Sequence, residues 1–341
     1  MPLDPPPRRI LVIQLRHLGD VLLTTPAVRA LRRAYPEARI DFLVDRGARA
    51  ALLGNPDIHR IIERPSRASL REGAQVVLEA RRARYDLVID FQHKLRSAVV
   101  ALCSGAARSV SWGHTARRLL YRPPVRRAHP KGYMGATKIA LLREAGLVDV
   151  DDRDTPRPIL AISDEAHAWA AAAWTALGLD GGQVVVAINP GSRRADRRWA
   201  GFPALAGRIV AATSARVLVT WGPGERELAQ GVVAGCDGGA VLAPATSIEQ
   251  LGALLARCAL LAGNDSAARH IAVAVDTPTV TISIGTTPET WTYPGPGHRC
   301  IESADATAGD AAIARVFDAV AEVLRESASR APGVADARTG L

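Results

Sequence analysis

Short apolar, β-branched runs alternate with segments of helical spacing, and the pattern occurs twice along the chain. In the first half "ILVIQL", "RIDFLV", "HRIIE", "YDLVIDF" and "RSVSW" have strand composition, while 26–34, 68–83 and 135–146 have helical periodicity. The acidic, proline-containing stretch "DVDDRDTPRPILAI" (149–162) has the composition of a linker. A helix is predicted over 164–177, after which the alternation restarts with "VVVAINPGS", "ARVLVTWGPG", "CALLAGND" and "TPTVTISIG", each running into a turn. A last helix is predicted over 308–327, followed by a polar tail with the composition of a disordered segment. Apolar strands separated by helices belong to parallel sheets covered on both faces. At 341 residues the chain also exceeds what one core usually serves. The expected class is α/β, with two doubly wound domains facing each other across a cleft. Their expected bounds are 1–160 and 161–328, with a tail over 329–341.

Ligands of such sheets sit outside the carboxyl ends of the strands, so the loops after each strand carry the chemistry. The first loop, "RHLGD", ends in a lone carboxylate, Asp20, between Gly19 and Val21. Two roles are open to it, helix N-cap or proton acceptor. The second, "NPGSRRADRRW" (189–199), offers the Ser192 hydroxyl and four arginines, Arg197 among them. Guanidinium forks match phosphate oxygens, although a solvated basic loop has the same composition. The third, "WGPGERE" (221–227), is half of a dinucleotide fingerprint without its third glycine. Its Glu225 could bond a ribose diol or simply favour a helix N-terminus. The fourth, "GNDSAARHIAVA" (263–274), ends a strand and places Asp265 and Ser266 to cap a helix whose N–H groups form an anion site. His270 follows Ser266 by one turn on the same face and is expected to point toward the cleft.

Charge limits the partners. Residues 1–150 hold 27 Lys+Arg against 13 Asp+Glu, a balance of +14, whereas 151–341 hold 16 against 21, a balance of −5. The first half is therefore suited to something anionic: nucleic acid, a membrane surface or a phosphorylated substrate. Only Lys94, Lys131 and Lys138 are lysines, so part of the arginine content reflects composition at large. Four scattered cysteines form no CxxC, which disfavours a zinc or disulfide framework and fits a reducing, cytoplasmic setting. There is no signal-peptide h-region, no run of ~18 apolar residues, no HExxH or DxD metal motif, no GxSxG elbow and no Walker loop.

Taken together and in order, "LGDVLLTTPAVRALRRAYP", "INPGSRRADRRWAGF", "WGPGERE" and "GNDSAARHIAVAVDTPTVTISIGTTPETW" resemble the ADP-heptose:lipopolysaccharide heptosyltransferases, glycosyltransferase family nine. The likeness runs over roughly residues 9 to 300. It implies a GT-B fold with two Rossmann-like domains, an acceptor held mainly by the first and a nucleotide-sugar donor by the second. It implies inverting transfer with neither metal nor other cofactor. The family's catalytic aspartate falls on Asp20, and its phosphate-binding lysine falls on Arg197. Its small hydroxyl residue falls on Ser192, its glutamate on Glu225, and its D-[ST]-G-xx-H motif on Asp265, Ser266, Ala267 and His270. Two positions depart from the pattern: alanine at 267 in place of glycine, and arginine at 197 in place of lysine.

The resemblance thus implies a glycosyltransferase moving heptose from ADP-heptose to an anionic glycolipid such as the lipopolysaccharide inner core. It would work in the cytoplasm, with peripheral contact at the inner membrane and no nucleic-acid partner. Two alternatives stay open: a related transferase using another nucleotide sugar or acceptor, and a nucleotide-sugar binding protein without turnover, which the departures at 197 and 267 motivate. A dehydrogenase is weaker, lacking the third glycine and a Tyr-xxx-Lys.

Overall fold

The computed structural model describes residues 3–65, 69–113, 119–122, 131–149, 156–236, 238–304 and 306–329. The chain divides into two compact units, Met1–Ala161 and Ile162–Leu341. Of the expected linker, 150–155 lie outside the described residues, as does the expected tail beyond Ser329.

Unit one is a five-stranded parallel sheet. Its strands are β1 (Arg9–Ile13), β2 (Arg39–Asp45), β3 (Arg60–Arg64), β4 (Leu87–Asp90) and β5 (Arg108–Ser111), ordered β3-β2-β1-β4-β5. Ile10 on β1 pairs with Ile40 on one side and Leu87 on the other. From Ile10 onward β1 is buried throughout, which is why its sequence is unbroken apolar rather than alternating. The helices are α1 (Leu18–Leu22), α2 (Thr25–Ala34), α3 (Leu70–Ala83), α4 (Leu95–Cys103) and α5 (Met134–Glu144). Helix α3 starts two residues later than predicted because Ser69 caps it: its Oγ accepts the Glu72 N–H at 3.3 Å and Glu72 Oε2 accepts the Ser69 N–H at 2.7 Å. The predicted helix over 26–34 is preceded by the separate single turn α1, so Asp20 lies inside a helix and not at the end of a loop.

Unit two holds β6 (Val185–Asn189), β7 (Arg216–Val219), β8 (Ala240–Leu242), β9 (Leu260–Asn264), β10 (Thr279–Ile284) and β11 (His298–Ser303) in the order β11-β10-β9-β6-β7-β8, all parallel. Numbered within the unit, that is the dinucleotide-binding order 3-2-1-4-5-6. Its helices are α6 (Asp164–Ala176), α7 (Phe202–Ala212), α8 (Arg226–Ala234), α9 (Ile248–Leu255), α10 (Ala267–Ala274), α11 (Pro288–Trp291) and α12 (Asp310–Ser329). Helix α12 packs Val316, Val320 and Val323 onto the core formed with α7 and the sheet, and it takes in Ser329, the first residue of the expected tail. In each unit the strand order reverses at one place, between β1 and β4 and between β6 and β9. Connections leave those neighbouring strands in opposite directions and open a crevice at their carboxyl ends.

Candidate active site

In unit one the crevice is a cavity of about 510 Å³. The loop after β1 and the loop after β4 are stitched together by one amide. Gln92 Oε1 accepts the N–H groups of Leu15 at 3.0 Å and Arg16 at 2.9 Å, and also the Gln14 side-chain amide at 3.1 Å. Asp20 follows on α1. It is not the N-cap: His17 occupies that position, and Asp20, at the third helical position, reaches back so that its Oδ2 accepts the His17 N–H at 3.1 Å. Asp20 is the one carboxylate among the described residues lining the cavity. Around it stand Arg16, His17, Arg64, Lys94, Arg96 and Lys138. An acid among cations has the arrangement needed to take a proton from a hydroxyl on an anionic molecule.

Lys138, on α5, was not singled out by any motif. It is fully buried, and its ammonium donates to Gln14 Oε1 at 3.0 Å, to the Asp20 carbonyl at 2.8 Å and to Thr24 Oγ1 at 2.6 Å. All three of its protons are used, and they tie the β1 loop, α1 and the start of α2 into one piece. Burial lowers its pKa to about 8, with the Asp20 charge acting in the opposite direction. Beneath the β4 loop lies Asp90, completely buried. It accepts the Tyr121 hydroxyl at 2.7 Å and the N–H groups of Gln92 at 2.9 Å and His93 at 3.0 Å. Burial raises its pKa to about 6 against the lowering effect of those donors.

In unit two the predicted loops meet beyond the carboxyl ends of the strands. Asn264, at the end of β9, organises them: its Oδ1 accepts the Trp199 N–H at 3.1 Å and its Nδ2 donates to the Pro190 carbonyl at 2.7 Å. Ser192 is buried within the turn, and its carbonyl accepts Arg198 Nε at 2.9 Å. Arg198 also approaches Glu225 at 3.6 Å, while Arg197 donates to the Gly285 carbonyl at 3.2 Å. Glu225 is the N-cap residue of α8, and its Oε2 accepts the Gly222 N–H at 3.1 Å. Gly191 passes so close that a Cβ there would lie 2.0 Å from that oxygen, so only glycine fits without moving the carboxylate.

Ser266 occupies the N-cap position of α10, but its side chain makes no capping bond. It sits 3.4 Å from Asn189 Oδ1, and Ala267 is the first helical residue. Asp265 does not cap either: its carboxylate pairs at 2.9 Å with Arg269 one turn along, and Arg269 is itself buried. His270, expected to point toward the cleft, is buried on α10, only 4% exposed. Ser192, Arg197, Glu225, Asp265, Ser266, Ala267 and His270 therefore all belong to unit two, and Asp20 belongs to unit one. Gln14, Gln92, Lys138, Asn264 and Arg269 are the site residues that motif reading missed. A buried amide at a strand end, as at Asn264, was the one signal in the sequence that could have found any of them.

The model of glycosyltransferase family 9 (heptosyltransferase) matches residues 76–310. Lipopolysaccharide heptosyltransferase 3 of Escherichia coli K12 is 27% identical over 290 residues, which cover 79% of this chain and 80% of that protein. Among solved structures, a family 9 glycosyl transferase from Veillonella parvula superposes with a TM-score of 0.80 at 22% identity, covering 94% of this chain and 97% of that one. E. coli ADP-heptose lps heptosyltransferase II superposes with a TM-score of 0.73 at 21% identity, covering 94% and 99%. The fold is thus GT-B, two parallel-sheet α/β domains. The family match spans more than half of the chain, and the chain belongs to glycosyltransferase family 9, the heptosyltransferases.

Proposed function

We propose that this glycosyltransferase moves a heptose from ADP-heptose to an anionic glycolipid of the lipopolysaccharide inner-core type, with inversion and without a metal. The observation that carries the reading is the cavity at the β1/β4 crevice, where Asp20 is the sole carboxylate among the described lining residues and stands among cations. Unit one would hold the acceptor, with Asp20 accepting the proton of its hydroxyl as that oxygen attacks the anomeric carbon. The new carbon–oxygen bond forms as the bond to the diphosphate breaks, which inverts the centre. ADP leaves with added negative charge, and Arg197, Ser192 and the N-terminus of α10 are the groups in unit two suited to stabilise it. Glu225, Asp265, Ala267 and His270 complete the donor side by family position. One relative's structure is described as E. coli heptosyltransferase WaaC with ADP-2-deoxy-2-fluoro heptose, which supports the choice of donor.

Among the described residues no helix is long and apolar enough to cross a membrane, so contact with a membrane-borne acceptor would be peripheral. Incubating the protein with ADP-heptose and a heptose-deficient lipopolysaccharide acceptor, with and without EDTA, tests the proposal. Equal transfer in both arms with an inverted anomeric centre is expected; restoration by Mg²⁺ after chelation would overturn the metal-free step. The substitutions at 197 and 267 favour a second reading, in which another nucleotide sugar is the donor. A donor panel in which a different sugar is turned over faster would establish it, and ADP binding without any turnover would instead indicate a binding protein.

A further inference from the structure

The two helices beside the Asp20 cavity carry a second feature that the transfer chemistry does not use. Between α3 and α4 runs an apolar groove of about 710 Å³, within the range of small-molecule sites. Its walls include Leu70, Leu78, Leu95 and Val99, which are 96%, 47%, 62% and 38% exposed. Four of the seven large apolar side chains exposed among the described residues thus line this one groove. Solitary exposed leucines are ordinary, but a contiguous apolar strip marks a contact site. Its floor reaches Val76 and Val100 of the unit's core, so the groove has depth as well as area.

The groove is continuous with the catalytic cavity. Leu15, Arg64 and Arg96 line both. Arg64 is buried beside Asp45, Nη1 to Oδ1 at 3.8 Å, whereas Arg96 is exposed on the first turn of α4. An apolar channel that opens through two arginines into a cation-lined cavity matches one kind of molecule, an amphiphile with an anionic head and a hydrocarbon chain. A purely polar oligosaccharide would leave the groove in water. A flat bilayer surface would meet the exposed rim without filling the volume that runs down to the core.

We infer that the α3–α4 groove binds a hydrocarbon chain of the acceptor, while its anionic head enters the cavity that holds Asp20. The inference rests on the proposed acceptor site and adds the requirement that the acceptor be recognised by its tail. Each methylene buried contributes ~0.8 kcal/mol, roughly fourfold in affinity, so the chain supplies binding that the head contacts alone do not.

Calorimetry of the full chain with monomeric dodecyl phosphate and hexyl phosphate tests it without donor or turnover. Dodecyl phosphate is expected to bind at least ~50-fold more tightly, the effect of burying about half of the six extra methylenes. Leu78→Asp and Val99→Asp, both at exposed positions, should reduce that ratio below ~5-fold with the melting temperature preserved. Arg96→Gln should weaken both phosphates alike. Equal affinity for the two chain lengths, or a ratio unchanged in both aspartate variants, overturns the inference. Binding to anionic phosphatidylglycerol vesicles but not to monomeric dodecyl phosphate also overturns it, in favour of a bilayer contact. None of these outcomes requires transfer, so a failed groove leaves the transferase reading intact, and a failed transferase assay leaves the groove measurable.

Discussion

Arg197 and Lys138 are two cations with opposite surroundings, and the difference fixes what each can do. Arg197 is half-buried at the end of a short turn and donates to the Gly285 carbonyl, a single weak contact from which its guanidinium can turn to a diphosphate. Arg197→Ala should weaken ADP by ~1.5–3 kcal/mol in calorimetry, the range for hydrogen bonds to charged groups; unchanged affinity would remove it from the donor site. Lys138 is spent on three protein acceptors and acts by position. Replacing it with Met leaves those acceptors without their donor, and turnover should fall by on the order of tenfold while ADP affinity holds. With its pKa at about 8, wild-type turnover should also fall as pH rises through that value, and the Met variant should lack this limb. Asp20 was legible because it lies in a short motif. Lys138 was not, since its partners are 114 to 124 residues away and only the folded sheet brings them together.

Elements with strong periodicity were legible, and short or uniformly apolar ones were not. Strands β1 to β5 and helices α2, α3 and α5 stand where the alternation put them, within about two residues at each end. Helix α1 has five residues, too few to show a period, so the sequence around Asp20 reads as the end of a loop. Helix α4, "LRSAVVALC", is apolar nearly all round because one side serves the core and the other lines the groove. Strands β8 and β11 were missed as well, one having three residues and the other being only partly buried.

Two predictions belong to elements. Gly191→Ala must turn the Glu225 carboxylate away from the turn after β6, so ADP binding should weaken with little change in melting temperature; unchanged ADP affinity would show that the position of Glu225 does not matter to the donor. At the end of β4, Asp90 has a folded pKa of about 6 against an ordinary 3.8. The folded state then binds more protons than the unfolded state between those values, and stability is lost as pH rises from about 4 to 6. The loss should amount to about 3 kcal/mol, and Asp90→Asn should flatten denaturant-derived stability across that window. A slope unchanged in the variant would assign it to other groups.

At the scale of the whole molecule, charge is divided between the two halves of the chain, as the proposed chemistry is. The balance of +14 over residues 1–150 against −5 over the rest should make binding of an anionic acceptor fall steeply with salt, and ADP binding fall less. Equal salt slopes for the two ligands would reduce the asymmetry to composition. This division was legible from counting alone, whereas the groove was not, because Leu70, Leu78, Leu95 and Val99 come from two separate helices and become a surface only when α3 and α4 pack.

The same division isolates the central claim, that Asp20 takes the proton, from donor binding. Asn at position 20 keeps an oxygen to accept the His17 N–H, so the fold should survive, and ADP affinity should be unchanged because the groups proposed to hold the donor belong to the other unit. The amide cannot accept the acceptor's proton. Turnover of Asp20→Asn, measured beside its melting temperature and ADP affinity, should drop by ~10²-fold or more with the other two preserved; turnover near that of the wild type would contradict the account.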